Sequence, residues 1–171
     1  MSLAAARFAW TAQQMVIREI RESDLPDLFR LYEHLHASDD PLPAQGVVQK
    51  IWRRIQQNPE LKYFGAFVDN ALVSTCALSV IPNMTRACRP YGVIENVVTS
   101  PAFRRRGFGR AVLQHALDHA WSRGSYKVML LTGRKNEETY KFYESSGFDR
   151  HAKQAFLAKP KEAEQNLGGD A

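Results

Sequence analysis

Two cysteines in 171 residues, Cys76 and Cys88, are too few for a disulfide-stapled secreted scaffold and are not spaced as a CxxC metal or redox motif. A reducing cytoplasmic compartment is the expectation. Also missing is any run approaching the roughly 18 to 20 apolar residues of a membrane span. The most apolar stretch, Ala71 to Ile81, is broken by Ser74, Thr75 and Ser79, so no membrane association is expected. The first eighteen residues contain no acid and carry Arg7 and Arg18, a faint likeness to a transit peptide, but they lack a secretory h-region of adequate length. Internal repeats and low-complexity blocks are absent as well.

What is present is the composition of a folded protein: 44% hydrophobic and 24% charged residues suffice for a sizeable core and argue against a disordered chain. The length suits one domain, expected over 15–158, with a flexible N-terminal extension (1–14) and a flexible C-terminal tail (159–171). Lys and Arg outnumber Asp and Glu by 23 to 18, a net charge of +5 that suits an anionic partner. The basic residues are not interleaved with an aromatic platform and match no recognised binding module, so nucleic acid is not expected.

Met15 to Ile20 alternates apolar and polar residues and predicts a strand. Ser23 as N-cap, Pro26 in the first turn and Leu28, Leu31, Tyr32 and Leu35 at helical spacing predict a helix after it. Ala37 to Pro43 reads as loop, and a second helix is predicted from about Ala44 to Gln57, before Asn58-Pro59. Lys62 to Val68 and Ala71 to Ile81 flank Asp69-Asn70, two residues suited to the positive φ of a hairpin turn. Tyr91 to Thr99 predicts a strand. Gly107 to Trp121 predicts a helix with Leu113, Ala116, Leu117 and Ala120 inward, and Lys127 to Thr132 another strand; that order implies a parallel crossover. A last helix is expected to open at Asn136 as N-cap, with Glu137 and Glu138 in its first turn, and to close at Gly147; Arg150 to Leu157 would add a final strand.

Arg104 to Arg110 falls where a strand gives way to a helix and breaks two local rules at once. Gly107 and Gly109 cost up to about 1 kcal/mol each against Ala in a helix interior. Arginines at a helix N-terminus oppose the positive end of the macrodipole. A bound pyrophosphate resolves both conflicts, since glycines let first-turn amides approach it and the arginines supply charge.

The segment Val97-Val98-Thr99-Ser100-Pro101-Ala102-Phe103-Arg104-Arg105-Arg106-Gly107-Phe108-Gly109 resembles the acetyl-CoA motif of the GNAT superfamily of N-acetyltransferases, Arg/Gln-x-x-Gly-x-Gly/Ala. Downstream, Asn136, Tyr143 and Gly147-Phe148 are similar to the asparagine, helix tyrosine and Gly-Phe ending of many members. The resemblance extends from Met15 to Leu157 and implies an α/β fold with a central mixed, mostly antiparallel sheet flanked by helices. It implies acetyl-CoA as acyl donor, with Val97, Val98 and Thr99 offering backbone groups to the pantetheine arm. Arg105, Arg106, Gly107, Phe108, Gly109 and Arg110 would then wrap the pyrophosphate, Asn136 would hold the cofactor near its thiol end, and Tyr143 would be both a cofactor contact and the general acid. One family arrangement, a glutamate five residues before the asparagine, is absent, because that position is Leu131.

Acetyl transfer needs a neutral amine, a stabilised oxyanion and a proton for the departing thiolate. Tyr143 follows Asn136 by seven residues, two helical turns along nearly the same face. Glu95, within Val93-Ile94-Glu95-Asn96-Val97-Val98, is the candidate base, its pKa expected to be raised by an apolar setting; a structural ion pair is the alternative. Asp39 and Asp40 could draw in a cationic amine or simply belong to a solvated loop. His34 and His36 complete no metal-ligand pattern, so no metal is expected, and neither cysteine has a base pattern beside it that would make it a nucleophile. The expected activity is direct attack of a small-molecule, peptide or protein amine on the thioester. A non-catalytic acyl-CoA-binding module is the alternative, and a homodimer is left open.

Overall fold

The computed structural model describes residues 15–35 and 40–158; the expected terminal extensions, His36 and Asp39 lie outside them. Five strands, β1 (Met15–Glu19), β2 (Leu61–Val68), β3 (Ala71–Ile81), β4 (Tyr91–Thr99) and β5 (Val128–Leu130), form one sheet in sequence order. The first three pairings are antiparallel and β4–β5 is parallel. The helices are α1 (Leu25–Tyr32), α2 (Gln45–Gln57), α3 (Phe108–Ser122) and α4 (Glu137–Glu144). No helix among the described residues is long and apolar enough to cross a membrane.

Local chemistry accounts for most of these elements. Asp69 and Asn70 have φ of 49° and 66°, so both supply the positive values that a two-residue turn needs between right-twisted strands, and β2–β3 is a hairpin. Asn136 caps α4 by accepting a hydrogen bond from the Thr139 N–H at 2.9 Å, and Gly147 takes φ 93° just beyond it.

The two larger of three apolar clusters place helices on the sheet. Val112, Leu113, Ala116, Leu117 and Ala120 of α3 meet Phe64, Cys76, Leu78, Val80 and Ile94. Leu25, Leu28 and Leu31 of α1 and Trp52 of α2 meet Ile20, Phe67, Leu72 and Val98. Cutting one such buried leucine to alanine costs about 2–5 kcal/mol. The α3 helix is thereby fixed on the sheet, which fixes its N-terminus beside the end of β4.

Three local expectations are corrected. Ser23 does not cap α1: residues Glu22–Asp24 form a 3-10 turn, and the Asp24 carboxylate accepts the Arg21 N–H at 2.8 Å while pairing with Arg18 at 2.6 Å. An aspartate with a cation beside it outcompetes a serine hydroxyl for this turn. β5 is shorter than Lys127 to Thr132, because the chain turns where the Thr132 hydroxyl accepts the Arg134 N–H. Arg150 to Leu157 forms no strand. The Asp149 carboxylate accepts the His151 N–H at 2.8 Å, starting a turn, and Arg150 pairs with Glu137 and Glu144 at 3.2 and 3.1 Å. Alternation alone makes no strand without a partner for its backbone, and Phe156 and Leu157 stay 91% and 80% exposed.

Candidate active site

Near its middle, β4 acquires an extra residue. Glu95 stands opposite Ala77 and Val98 opposite Thr75, so Asn96 and Val97 share the single partner position of Cys76. Asn96 takes φ 54°, the left-handed conformation that asparagine tolerates better than most residues, and the strand bends there as a β-bulge. Pairing between β4 and β5 ends at Ile94–Leu130, although β4 continues to Thr99. Beyond that point the two parallel strands are no longer bonded to each other. Val97, Val98 and Thr99 stand along this gap. Ser74 holds the far end of β4, its hydroxyl donating to the Val98 carbonyl at 3.0 Å and lying 2.8 Å from the Thr99 hydroxyl.

After β4 a short 3-10 turn, Pro101–Phe103, leads into the turn that opens α3. Arg105 and Gly107 have left-handed φ of 56° and 88°, with Arg106 between them, a backbone alternation that aims successive amides to one side. The Ala111 N–H donates to the Gly107 carbonyl at 2.9 Å, the first turn of the helix. The amides of Phe108, Gly109 and Arg110 therefore belong to the helix end that lacks intrahelical acceptors. The Arg106 guanidinium lies over the rings of Phe103 and Phe108, at 5.0 and 5.3 Å. Arg104 turns back, its Nε donating to the Thr99 carbonyl at 3.2 Å.

Tyr143 is half-buried, with Phe142 at 5.0 Å and Phe148 at 6.2 Å between ring centres. Burial pushes its phenol above the ordinary value of 10.0, Arg134 opposes that rise, and Glu95 and Cys76 add to it. Tyr143 and Glu95 are therefore within electrostatic reach of each other although they come from α4 and β4. The Cys76 thiol, pushed up to about 12 by burial and directed at the Val112 carbonyl, is a neutral core group. It is no nucleophile at neutral pH.

The expected desolvation of Glu95 is corrected. Glu95 is exposed, because strand alternation buries Ile94 against α3 and turns the next side chain to the opposite face. Asp40 is exposed, and His34 is exposed with its carbonyl accepting from Arg134. Among the described residues no group of three His, Cys, Asp or Glu could hold a metal ion. An open depression of about 180 Å³ under α1, lined by Asp27, Arg30, His34 and Ser100, shares none of the predicted site residues.

Sequence reasoning missed four neighbours of this region. The Tyr32 hydroxyl is buried against Asn96, which it approaches without completing an ordinary hydrogen bond. Trp52 meets Tyr63 edge-on at 5.8 Å. Arg134 donates to the His34 and Leu35 carbonyls, both at 3.2 Å, and so ties the end of α1 to the β5–α4 connection. An asparagine inside a β-branched strand was the one available signal, for the bulge. The other contacts join residues far apart in the chain.

The acetyltransferase (GNAT) family model matches residues 18–148, from within β1 to just beyond α4. The chain belongs to this family. It is 31% identical to the glucosamine 6-phosphate N-acetyltransferase of Trypanosoma brucei brucei, over 82% of this chain and 93% of that protein. It is 35% identical to the [ribosomal protein bS18]-alanine N-acetyltransferase of Escherichia coli (strain K12), over 78% of this chain and 80% of that one. A solved structure from Agrobacterium tumefaciens str. C58 superposes with a TM-score of 0.79 at 42% identity, covering 84% of this chain and 99% of that one. This GNAT protein is thus an N-acetyltransferase that uses acetyl-CoA as donor, on the mixed, mostly antiparallel sheet that its motifs implied.

Proposed function

We propose that acetyl-CoA lies in the gap between β4 and β5 with its pyrophosphate on the turn before α3, and that a primary amine attacks its thioester directly. The observation that carries this reading is proximity: the strand edge freed beyond Ile94 is joined by one short 3-10 turn, Pro101–Phe103, to the Arg105–Gly107 turn, and the first turn of α3 packs against Thr99 at the end of that edge. Backbone groups of Val97, Val98 and Thr99 would take the pantetheine arm. Arg105, Arg106, Gly107, Phe108, Gly109 and Arg110 would take the pyrophosphate. Asn136, whose carbonyl oxygen is committed to capping α4, would meet the cofactor through its remaining amide donors.

Glu95, exposed on the opposite face from Ile94, takes a proton from the acceptor's ammonium group, directly or through water, and so leaves the neutral amine that attacks the thioester carbonyl. As the tetrahedral adduct collapses, its C–S bond breaks, the Tyr143 hydroxyl gives its proton to the departing thiolate, and the proton shed by the new amide nitrogen restores the phenol. Burial keeps that phenol protonated at neutral pH, as a general acid must be.

For the acceptor, these two relatives point to two classes, an amino sugar phosphate and an alanine of a protein. We place small phosphorylated amino sugars first, because the likeness to the Trypanosoma protein spans more of both chains. The test is an amine panel, including amino sugars and alanine-ended peptides, followed by release of free coenzyme A thiol. Release with one class identifies the acceptor. Acetyl-CoA binding without release from any amine would favour the acyl-CoA-binding module instead.

Two further readings go with this one. Cys76 and Cys88 are both free, which supports a reducing, cytoplasmic setting. The outer edge of β5 and the exposed Phe156 and Leu157 support a homodimer, to be tested by light scattering on the full chain and on a Phe156→Ser/Leu157→Ser variant.

A further inference from the structure

Tyr32 ends α1, and its ring packs in the apolar cluster of Leu31, Trp52 and Val98. Its hydroxyl is buried there facing the side chain of Asn96, the polar group it approaches without completing an ordinary hydrogen bond. Asn96 is itself held in a left-handed conformation at the bulge. A buried hydroxyl short of an ordinary hydrogen bond and a left-handed residue inside a strand are each unfavourable, and here they meet. Strain that persists in contact with other strain, on the edge of a ligand gap, is a mark of function.

We infer that Tyr32 is a positioning residue: its hydroxyl seats the Asn96 side chain and thereby fixes the bulge that turns the Asn96–Val97 backbone toward the gap between β4 and β5. The hydroxyl is too buried for substrate to touch, so it acts through Asn96. The end of α1 that carries it is held in turn by Arg134, through the carbonyls of His34 and Leu35. This rests on the reading that the thioester lies in that gap.

The experiment compares wild type, Tyr32→Phe, Asn96→Gly and the double variant by thermal unfolding without ligand, acetyl-CoA calorimetry and steady-state kinetics on the amine found by the panel. Phenylalanine keeps the packing and removes only a buried hydroxyl that completes no ordinary hydrogen bond, so the midpoint of Tyr32→Phe is expected at or above that of wild type. Its kcat is expected to fall by about tenfold or more, with acetyl-CoA affinity changed by less than about threefold. Glycine keeps the left-handed backbone and lacks the side chain, so Asn96→Gly is expected to fold and to lose a similar factor. If Tyr32 acts through Asn96, the double variant is no worse than the worse single.

Wild-type kcat in Tyr32→Phe, losses that multiply in the double variant, or a fall in activity matched by a fall in midpoint would each overturn the proposal. Should Tyr32→Phe fail to fold, full activity in Asn96→Gly would overturn it equally. A wild type that binds no acetyl-CoA would instead bring down the underlying functional reading, and the inference with it.

Discussion

A Cβ on Gly109 would lie 2.9 Å from the Thr99 Oγ1, inside any real contact distance, and 3.1 Å from the Phe142 ring. Gly109 is thus the point where the first turn of α3, the end of β4 and α4 meet. Two residues earlier Gly107 has open space around it but φ 88°. The two glycines of one motif are required for different reasons, one for close approach and one for backbone conformation.

These reasons predict different failures. Gly109→Val should destabilise the fold by about 1–3 kcal/mol through overpacking and abolish acetyl-CoA binding. Gly107→Ala, with no clash to relieve, should cost about 1–2 kcal/mol through its left-handed φ. Arg104→Ala should weaken binding less than either. Thermal unfolding with and without acetyl-CoA checks all three, since saturating ligand at one hundred times Kd adds about 2.7 kcal/mol. A wild-type ligand shift in Gly109→Val would remove this turn from the cofactor site.

Tyr143→Phe should retain the fold and most acetyl-CoA affinity while kcat falls by about a hundredfold, the lower range of general acid catalysis. Burial raises the phenol above 10.0, so the acid form is complete at neutral pH and is lost only as pH climbs through that raised value. Wild-type activity should therefore fall on the alkaline side only above about pH 10. In Tyr143→Phe that limb should be missing. Steady-state kinetics against pH is the measurement, and unchanged turnover would return Tyr143 to a packing role among Phe142 and Phe148.

What the sequence made legible was local. The Asp69-Asn70 turn, the limits of Tyr91–Thr99 and the cap at Asn136 each depend on residues within one turn or strand, and they formed as expected. The expected burial of Glu95 fails because an apolar run around a carboxylate does not say which of its residues alternation turns away from the helix that covers one face. Arg150 to Leu157 was misjudged because a strand requires a partner edge as well as a pattern. Tyr32 against Asn96, and Arg134 against the end of α1, arise only when distant segments pack. No spacing rule announces them.

Exposure of Glu95 changes what its removal should do. Glu95→Gln should fold with stability within about 0.5 kcal/mol of wild type, as surface substitutions do. If Glu95 is the base, kcat/KM should fall and the acidic limb of its pH profile should flatten. The neighbouring charge also raises the Tyr143 phenol, so its loss should lower that value. Retention of the wild-type pH profile in a folded Glu95→Gln protein would leave the deprotonation to water alone.

Arg134 performs two tasks that two substitutions separate. Its guanidinium bonds the His34 and Leu35 carbonyls, closing the end of α1 onto the β5–α4 connection, and its charge opposes the rise of the Tyr143 phenol. Arg134→Ala removes both, whereas Arg134→Lys keeps the charge and loses the planar fork that spans two carbonyls. Both variants should raise the acceptor KM several-fold, because His34 and Leu35 at the end of α1 lose their tether. Only Arg134→Ala should move the Tyr143 titration further upward, since removing a nearby cation disfavours the phenolate. The titration can be followed by NMR of ring-labelled tyrosine, with Tyr143→Phe assigning the resonance. Equal Tyr143 titration in wild type, Arg134→Ala and Arg134→Lys would show that Arg134 serves the acceptor side alone, and unchanged KM in both would show that the tether does not shape that side.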